Sequence, residues 1–302
     1  MPEIKVALIG GSGLGEGFAA TAAALRHEVD TPFGSPSDAI LETQWSGLPV
    51  LLLARHGPGH VHPPSHVPFR ANIFALKKLG CTHILASGAA GSLREEFKPR
   101  DLVICDQIID KTTRRHGTFY EQAAVHVEFA EPFCPMLRQI LVEAASGAAP
   151  KVHDRGCYVC MEGPAFSTRA ESLMHRLWGG DLIGMTAMPE AKLAREAEIA
   201  YALVALVTDY DSWRTKPPAK DAAIPGPQAL LAEITENLRA AGDSAVALLR
   251  RAVELMAARR NGLHSPAADA LKLAIWSDRR RIDAAEVRRL APLWGRYFKE
   301  TT

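Results

Sequence analysis

The sequence predicts an α/β fold in which a central sheet, mixed but largely parallel, is flanked by helices. Strand-like apolar runs alternate with helical patterns from residue 5 to residue 211, which is typical of a parallel sheet. Apolar residues make up 47% and charged residues 23% of the 302 residues, so the composition is that of a globular protein with a sizeable core. We find no internal repeat.

Charge and hydropathy exclude two classes of protein. The 35 basic and 34 acidic residues give a net charge of +1, so the chain lacks the basic excess of a nucleic-acid binder. No run approaches the roughly 18 apolar residues of a membrane span. The first residues lack the features of a signal peptide, and five cysteines in so long a chain do not form a disulfide framework. We therefore expect a cytoplasmic enzyme that binds neither nucleic acid nor membrane.

The first half of the chain contains three predicted elements with clear bounds. Lys5–Ile9 is an apolar strand bounded by glycines, and Pro49–Ala54 is a second strand that leads into a loop rich in Gly, Pro and His. Phe69–Leu79 is predicted to be a helix because its apolar residues recur on one helical face. Further along, THILASGAAGSL predicts a strand that enters a small-residue turn, LVICDQIID predicts one strand, and Pro135–Ala145 predicts a helix.

The second half continues the alternation and ends in helices. CYVCMEGPAFSTRAES predicts a strand, a turn and a helix start, and DLIGMTAMPE predicts a strand and a turn before the helix Ala191–Glu198. YALVALVTDYD is the last predicted strand. Thr215–Pro227 is dense in Pro and Gly and predicts a loop. Helical patterns then cover Gln228–Leu238, Ser244–Ala258 and a last stretch around Ala267–Phe298.

The turn after the first strand, GGSGLGEG, is a candidate phosphate site. Ligands of open α/β sheets bind at the carboxyl ends of the strands. The glycines lack the GxGxxG spacing of a dinucleotide site, and the GK[ST] of a P-loop is missing. A glycine-rich turn centred on Ser12 can still offer backbone N–H groups and a hydroxyl to a phosphate. A plain tight turn explains the same glycines equally well.

Arg55 and His56 follow the second strand and are candidates for the same ligand. Arginine suits bidentate binding of a phosphate, and histidine can add a second donor. The same loop holds His60, His62 and His66, so a metal site is an alternative. The loop has no defined carboxylate or cysteine partner for these histidines, and we therefore favour phosphate over metal.

Three later strand ends carry small or polar residues. The segment Ser87–Ser92 has almost no side chains, so its backbone can approach a ligand closely. Thr186 follows another strand, and Asp209 and Asp211 are two residues apart, which places them on the same face of a strand. The two acids can bind a metal or can serve as an acid and a hydrogen-bond acceptor, and a helix cap or a solvated turn is the alternative. The single CxxC, Cys157 to Cys160, is interpreted as structural.

Together these segments resemble the trimeric purine nucleoside phosphorylase family, and in particular its 5′-methylthioadenosine phosphorylase branch. They occur in the family's order over about residues 4 to 213, and they are IGGSGLG, TPFGSPSD, LLARHG, ANIFALKKLGCTHI, GSLREEFKPRDLVICDQIIDKTT, FAEPFCP, EGPAFSTRAES, MTAMPEAKLAREA and TDYDSW. The resemblance implies the purine nucleoside phosphorylase-like fold. We expect a phosphorylase domain over residues 1–245 and a helical extension over residues 246–302 that packs on the same domain or on a neighbouring subunit.

The resemblance also implies a reaction, phosphorolysis, in which phosphate attacks C1′ of a ribose while the purine leaves. Asp209 is implied to interact with N7 of the purine through a proton that makes the base a neutral leaving group, and Asp211 to accept from the exocyclic amine. No metal or other cofactor is implied, because inorganic phosphate is the co-substrate. The remaining implied contacts are Ser12, Arg55, His56, Thr186 and a backbone N–H of Ala89 for the phosphate, Met185 under the ribose, and Phe166 stacked on the base.

Hydrogen-bond polarity selects the base. The resemblance implies that family members acting on 6-oxopurines have Glu and Asn at the positions where this chain has Ser167 and Asp209. Ser167 can donate to N1 of adenine and Asp211 can accept from its N6 amine, whereas a 6-oxopurine reverses both groups. Because a mismatched set leaves buried polar groups unpaired, we expect adenine as the base.

The 5′ group of the sugar is expected to be methylthio. His126 of a neighbouring subunit in a homotrimer is implied to form one wall of the 5′ pocket. The loop after TDYDSW is expected to form another wall, and it offers the apolar residues Ala222, Ala223 or Ile224 and no histidine. The expected reaction is therefore phosphorolysis of S-methyl-5′-thioadenosine to adenine and 5-methylthioribose 1-phosphate, a step of purine and methionine salvage.

Two departures from the family keep alternatives open. Gly88 stands where the resemblance implies Thr or Asn, and the tail after about Arg250 is longer than the branch implies. The alternatives are a purine nucleoside phosphorylase acting on adenosine or 6-oxopurine nucleosides, a nucleoside hydrolase, and a non-catalytic purine-binding relative.

Overall fold

The computed structural model describes residues 3–11, 24–147, 151–214 and 227–298. The strands within these ranges are β1 (Val6–Gly10), β2 (Leu25–His27), β3 (Ile40–Trp45), β4 (Leu48–Ala54), β5 (His83–Ser92), β6 (Leu102–Ile104), β7 (Gln107–Lys111), β8 (Val152–His153), β9 (Cys157–Met161), β10 (Leu182–Gly184) and β11 (Ala200–Tyr210). The α-helices are α1 (Phe69–Lys78), α2 (Pro135–Ala144), α3 (Arg169–Leu177), α4 (Glu190–Glu196), α5 (Pro227–Ala258), α6 (Ala284–Arg289) and α7 (Ala291–Trp294). Single turns of 3₁₀ helix lie at Pro58–His60, Pro64–His66, Arg260–Gly262, Pro266–Asp269, Arg279–Arg281 and Gly295–Tyr297.

The described strands form one mixed sheet, as predicted. Its main path runs β2-β3-β4-β1-β5-β10-β9-β7, and β11 pairs with both β5 and β6. The β4, β1, β5 and β11 strands are mutually parallel along their contacts, whereas β2, β3 and the β5–β10 pairing are antiparallel. The parallel strands therefore bring their carboxyl ends to one edge of the sheet, where ligands of such sheets bind.

Helices cover both faces of this sheet and bury two apolar layers. Alternate residues of one strand enter different layers, for example Leu51 and Leu53 in one layer and Leu52 in the other. The first layer contains residues of α1, α4 and the C-terminal segment (residues 260–298), and the second contains residues of α2 and α5. Because the central strands are buried on both sides, they are apolar throughout, which is typical of parallel strands between helices.

Several predicted elements are confirmed within about a residue, and two are corrected. The predicted strands at 5–9 and 49–54 and the predicted helices at 69–79 and 135–145 correspond to β1, β4, α1 and α2. The segment Ser87–Ser92, predicted as a turn, is instead strand, because β11 pairs along the whole of β5. LVICDQIID forms two strands rather than one, since β6 pairs with β11 and β7 pairs with β9.

The C-terminal part of the chain also differs from the prediction. The two predicted helices at 228–238 and 244–258 are one continuous helix, α5, because the chain between them has no proline and packs Ala241 and Ala245 into the core. The stretch 267–298 consists mainly of short helical turns. Its residues Leu290, Leu293 and Trp294 pack in the same apolar layer as α1. The predicted loop at 215–227 lies outside the described residues except for Pro227, which begins α5, and the domain division at residue 245 stays a prediction. Among the described helices, none has the length and apolar character to cross a membrane.

Candidate active site

A pocket of about 320 Å³ opens at the carboxyl ends of β1, β5, β10 and β11. Seven of the predicted site residues line it: His56, Ala89, Phe166, Met185, Thr186, Asp209 and Asp211. Arg55 lies directly behind its wall, and Ser167 is buried next to Phe166. The predicted phosphate ligand Ser12 lies outside the described residues. The pocket thus joins residues from strand ends that are far apart in the sequence.

Arg55, at the end of β4, is completely buried behind the pocket. Its guanidinium forms a bidentate ion pair with Glu190, with distances of 2.7 and 2.8 Å, and its Nη1 donates to the carbonyl oxygen of Ser87 at 2.7 Å. Burial alone would lower the pKa of Arg55, but the carboxylate of Glu190 raises it above the usual value. The guanidinium is therefore held as a charged group in one orientation.

Glu190 and Tyr201 are site residues that the sequence analysis missed. Glu190 begins α4, is fully buried, and accepts a hydrogen bond from the Tyr201 hydroxyl at 2.8 Å in addition to those from Arg55. A buried arginine needs a carboxylate partner, so the acid at the end of the MTAMPE motif was a signal in the sequence. Which acid would reach Arg55 depends on the fold, because the two residues are 135 positions apart.

His56 faces the pocket with its ring held in place. Its Nδ1 lies 2.8 Å from the carbonyl oxygen of His62, and its ring stacks on that of His60 with a centroid distance of 4.1 Å. Burial, with a further contribution from the charge of Arg55, lowers the pKa of His56 to about 4 despite the hydrogen bond to His62. The ring is therefore neutral at pH 7, with the hydrogen on Nδ1 and a lone pair on Nε2.

The space between Arg55, Gly88 and Thr186 is the candidate phosphate end of the pocket. A Cβ built on Gly88 would lie 3.3 Å from Thr186 Oγ1 and 4.0 Å from Arg55 Nη1, so these polar atoms converge in front of the glycine. A Cβ on Gly11 would lie 2.8 Å from Arg55 Nη1. Gly11 after β1 and Gly88 within β5 thus leave the guanidinium close to the pocket.

Asp209 and Asp211 lie together at the end of β11, as their spacing predicted. A Cβ on Gly91 would be 3.5 Å from both Asp209 Oδ2 and Asp211 Cβ, so both acids lie over the end of β5. Asp209 Oδ1 accepts from the Thr208 hydroxyl at 2.6 Å, while Asp211 Oδ2 is buried and has no hydrogen-bond partner within the described ranges. Burial raises the pKa of Asp209 against the lowering effect of the Thr208 hydrogen bond, and the Asp211 charge adds to the rise.

The residues predicted to hold the base and the sugar lie beside these acids. Phe166 is 78% exposed at the mouth of the pocket. Gly163 has φ of +69°, and a Cβ there would lie 2.5 Å from Met185 Sδ, so only glycine allows Met185 its place in the pocket wall. Ser167 does not line the pocket: its hydroxyl lies 3.8 Å from Met161 Sδ, and its carbonyl oxygen accepts from Ser212.

The remaining wall of the pocket is apolar. Ile234 and Leu238, which are four residues apart on α5, line it together with Ile183 of β10. The wall residues that the sequence analysis expected, Ala222, Ala223 and Ile224, lie outside the described residues. The α5 residues were missed because no sequence signal distinguishes a pocket-facing apolar residue from a core residue.

His126 does not reach the pocket of its own chain. Its backbone N–H donates to the carbonyl oxygen of Ala274, and its ring packs edge-on against Trp276 at 4.7 Å between centroids. Trp276 and Leu273 beside it are 71% and 86% exposed. Within the described part of the chain, no group of three or more His, Cys, Asp or Glu side chains is placed to hold a metal ion.

Comparison with known proteins identifies the family. A family model described as the phosphorylase superfamily matches residues 5–254. The chain is 43% identical over 302 residues to the S-methyl-5′-thioadenosine phosphorylase of Synechocystis sp., covering 99% of this chain and 89% of the relative. It is 53% identical over 212 residues to the enzyme of the same name from Cereibacter sphaeroides, covering 70% of this chain and 73% of the relative.

Solved structures agree with this assignment. A methylthioadenosine phosphorylase from an antarctic soil metagenomic library superimposes with a TM-score of 0.83 at 43% identity, covering 97% of this chain and 99% of the other. The methylthioadenosine phosphorylase of Schistosoma mansoni, solved with adenine, superimposes with a TM-score of 0.79 at 37% identity, covering 90% and 98%. The chain therefore belongs to the phosphorylase superfamily and, within it, to the S-methyl-5′-thioadenosine phosphorylases.

Proposed function

We propose that this protein catalyses the phosphorolysis of S-methyl-5′-thioadenosine by inorganic phosphate, giving adenine and 5-methylthioribose 1-phosphate. The observation that carries the proposal is the layout of one pocket. Arg55, His56 and Thr186 lie around one end of the pocket, and Asp209 and Asp211 lie at the other, at the end of β11. An enzyme that joins phosphate to a sugar while releasing a purine needs a phosphate end and a base end in the same pocket.

At the phosphate end the protein positions the nucleophile. Arg55 Nη1, Thr186 Oγ1 and the backbone N–H of Ala89 are the donors that would hold phosphate below C1′. His56 would accept at Nε2 the hydrogen of a protonated phosphate oxygen, because its Nδ1 is committed to the His62 carbonyl. A phosphate oxygen then forms the bond to C1′ while the C1′–N9 bond breaks, and the electron pair of that bond goes to the purine. Positioning and charge stabilisation supply the catalysis.

At the base end the two acids have different roles. Burial favours the protonated form of Asp209, which would donate its proton to N7 as the purine leaves. The unpartnered Oδ2 of Asp211 would accept from the N6 amine of adenine. The hydroxyl of Ser167 would have to turn away from Met161 to reach N1. No cofactor takes part in this scheme.

At the sugar end the apolar wall selects the 5′ group. Ile183, Ile234 and Leu238 offer neither a donor nor an acceptor from their side chains. A 5′-hydroxyl placed against them would lose its hydrogen bonds to water, whereas a methylthio group would gain from burial. The wall therefore favours methylthioadenosine over adenosine.

We further propose that the active unit is a homotrimer in which each pocket is completed by its neighbour. The exposed patch of His126, Leu273 and Trp276 does not line its own pocket, and further exposed apolar residues are Phe166 at the pocket mouth and Leu177 and Trp178 at the end of α3. Two different patches that bind each other form the head-to-tail interface of a closed ring. Analytical ultracentrifugation tests this proposal: the parent chain should sediment as a trimer and Trp276→Ala as smaller species, whereas a monomeric parent would refute it.

We place the enzyme in the cytoplasm, because all five cysteines are free thiols, as in a reducing compartment.

The proposed phosphorolysis is tested by initial rates of base release from methylthioadenosine, adenosine and inosine, each in phosphate and in phosphate-free buffer. We expect phosphate-dependent release of adenine, fastest from methylthioadenosine, and little release of hypoxanthine. Release without phosphate would indicate a hydrolase, and binding of adenine without any release would indicate a non-catalytic relative.

A further inference from the structure

A second cavity, of about 490 Å³, lies at the opposite edge of the sheet from the active site. It is lined by the amino-terminal ends of β1 and β5 and by the C-terminal segment, including Arg260, Leu263 and Arg296. His83 at its base and Gly91 at the active site are eight residues apart on β5, which corresponds to about 26 Å at about 3.3 Å per residue. The cavity is therefore separate from the pocket for the nucleoside.

The cavity contains hydrogen-bond donors that have no acceptor. The ammonium of Lys77 is half-buried, and neither it nor the guanidinium of Arg260 at the rim has an ion pair or a hydrogen bond to a described residue. Burial lowers the pKa of Lys77, although the charge of Glu198 opposes this. Two cationic groups thus face one space without a counter-charge of their own.

His83 adds a third group at the base of the cavity. It is only 4% exposed, and its Nε2 is buried with no partner within the described ranges. The hydroxyl of Thr82 lies 2.7 Å from its Nδ1 and 3.1 Å from the carbonyl oxygen of Lys5. When the Thr82 hydroxyl donates to Nδ1, the ring hydrogen is on Nε2; when it donates to the carbonyl oxygen of Lys5, Nδ1 donates to the hydroxyl and Nε2 has the lone pair. The first tautomer gives the cavity a third donor, whose acceptor must come from outside the chain.

The acidic residue that lines the cavity, Glu198, is already hydrogen-bonded to groups of the C-terminal segment. Glu198 Oε1 accepts from the backbone N–H of Leu271, from Arg296 at 2.8 Å and from the hydroxyl of Tyr297 at 2.5 Å. Glu198 is therefore committed to the C-terminal segment and does not neutralise Lys77 through a direct contact. The charged groups of the cavity that have no direct partner among the described residues, Lys77 and Arg260, are therefore both positive.

We propose that this cavity is a second binding site, for a small organic anion that carries a carboxylate or phosphate group on an apolar body. The anionic group binds Lys77, Arg260 and His83 Nε2. The apolar body packs against Ile4, Leu263 and Leu293, and the volume accommodates a ligand with one or two rings. The ligand would bridge the start of the sheet and the C-terminal segment.

The test uses two anionic probes, 4-bromobenzoate and 4-bromophenyl phosphate, and the uncharged 4-bromobenzyl alcohol. Crystals of the parent protein are soaked in each, and the anomalous signal of bromine locates the probe. Calorimetric titration then compares the parent with Lys77→Met and with the matched control Lys78→Met. Lys78, the next residue of α1, is exposed, and its Nζ contacts the carbonyl oxygen of Asp30 outside the cavity.

We expect bromine density in the cavity for at least one anion, with Kd raised tenfold or more by Lys77→Met and unchanged by Lys78→Met. The stronger probe distinguishes a carboxylate ligand from a phosphate ligand. An empty cavity, equal binding of the alcohol, or equal effects of the two variants would overturn the proposal. Binding to the active site does not imitate the expected result, because neither lysine is near that pocket.

Discussion

Arg55 and Glu190 show at the level of single residues how the site combines stability with function. Both side chains are essentially without exposure and satisfy each other through two hydrogen bonds. Removing one partner of a buried ion pair leaves a charge with no solvent, which is far costlier than losing the attraction itself. The carboxylate therefore keeps Arg55, the proposed phosphate ligand, charged, buried and oriented.

Glu190→Gln should destabilise the protein by about 3–5 kcal/mol, because the guanidinium of Arg55 loses its counter-charge in the interior. Urea unfolding measures the change. The matched control is Glu236→Gln, which breaks the exposed pair between Arg100 and Glu236 and should cost less than about 1 kcal/mol. Equal losses in the two variants would show that burial of the Arg55 pair has no energetic consequence.

Asp209→Asn should lower kcat/KM for methylthioadenosine by about 100-fold or more, because the variant has no carboxyl proton to donate to the leaving purine. The raised pKa of Asp209 adds a pH dependence: the parent needs the protonated form, so its activity falls as pH rises through this pKa. Asp209→Asn should lack that limb of the profile. The exposed Asp243 on α5 provides the control, Asp243→Asn, which should keep both rate and profile.

Residues placed by strand ends were predictable, and residues placed by tertiary contact were not. Arg55 and Asp209 lie at the ends of parallel strands, whose carboxyl ends meet at one edge of the sheet. Thr186 follows β10, and the antiparallel pairing of β10 with β5 brings it beside Gly88. Glu190 is recognisable only once Arg55 is known to be buried beside it. The side chain of Ser167 could not be placed from the sequence, since its rotamer depends on Met161.

At the scale of secondary-structure elements, pairing overrides local composition. The glycine and alanine residues of Ser87–Ser92 predict a turn, yet the pairing with β11 extends to Tyr210 and keeps the segment in the sheet. Small residues have no strand preference of their own, and the neighbouring strand decides their conformation. The same strand therefore serves both as the core of the sheet and as the floor of the pocket.

In the proposed function, helix α5 sets the preference for the 5′ group through Ile234 and Leu238, which line the pocket. Leu238→Ser should lower the ratio of kcat/KM for methylthioadenosine to that for adenosine by about tenfold, because the variant loses apolar contact and gains a group that can pair with a hydroxyl. Leu255→Ser, on the same helix but partly buried against the core and outside the pocket lining, controls for loss of stability. A ratio that stays constant in Leu238→Ser would remove α5 from the specificity wall.

At the scale of the whole molecule, buried titratable groups set the pH range of stability. Burial lowers the pKa of His56 and of His83 to about 4, so their stabilising effect is complete above pH 6.5 and is lost as pH falls towards 4. Burial raises the pKa of Glu196 to about 7, so its effect is complete below pH 4.5 and is lost as pH rises to 7. Between pH 7 and pH 5 the two histidines oppose Glu196, while burial lowers the pKa of His175 and raises that of Asp209, so these two further groups act in opposite directions.

The free energy of unfolding should therefore decrease from pH 7 to pH 5. His83→Gln should reduce this decrease, because one of the destabilising protonations is removed. Glu196→Gln should enlarge it, because an opposing contribution is lost. Urea titrations at the two pH values measure all three proteins, and a parent that is more stable at pH 5 than at pH 7 would contradict the expected direction.

The fold of the whole molecule was predictable from the alternation of strands and helices, whereas the exposed patch of His126, Leu273 and Trp276 was not. Exposure of Trp276 and Leu273 follows from how the C-terminal segment packs on His126, and no local pattern in the sequence shows it. The helical character of the long tail was predictable from the sequence. The cavity that the tail forms with the start of the sheet was not, because it depends on contacts between distant residues.

The central claim is that one pocket transfers the sugar of methylthioadenosine from adenine to phosphate. Phosphorus NMR of the complete reaction, combined with quantification of adenine, tests it most directly. We predict one new phosphate-ester signal, from 5-methylthioribose 1-phosphate, formed in equal amount to adenine, and neither product with Asp209→Asn on the same time scale. Adenine released without a matching phosphate ester would contradict the account, because the sugar would then have been transferred to water.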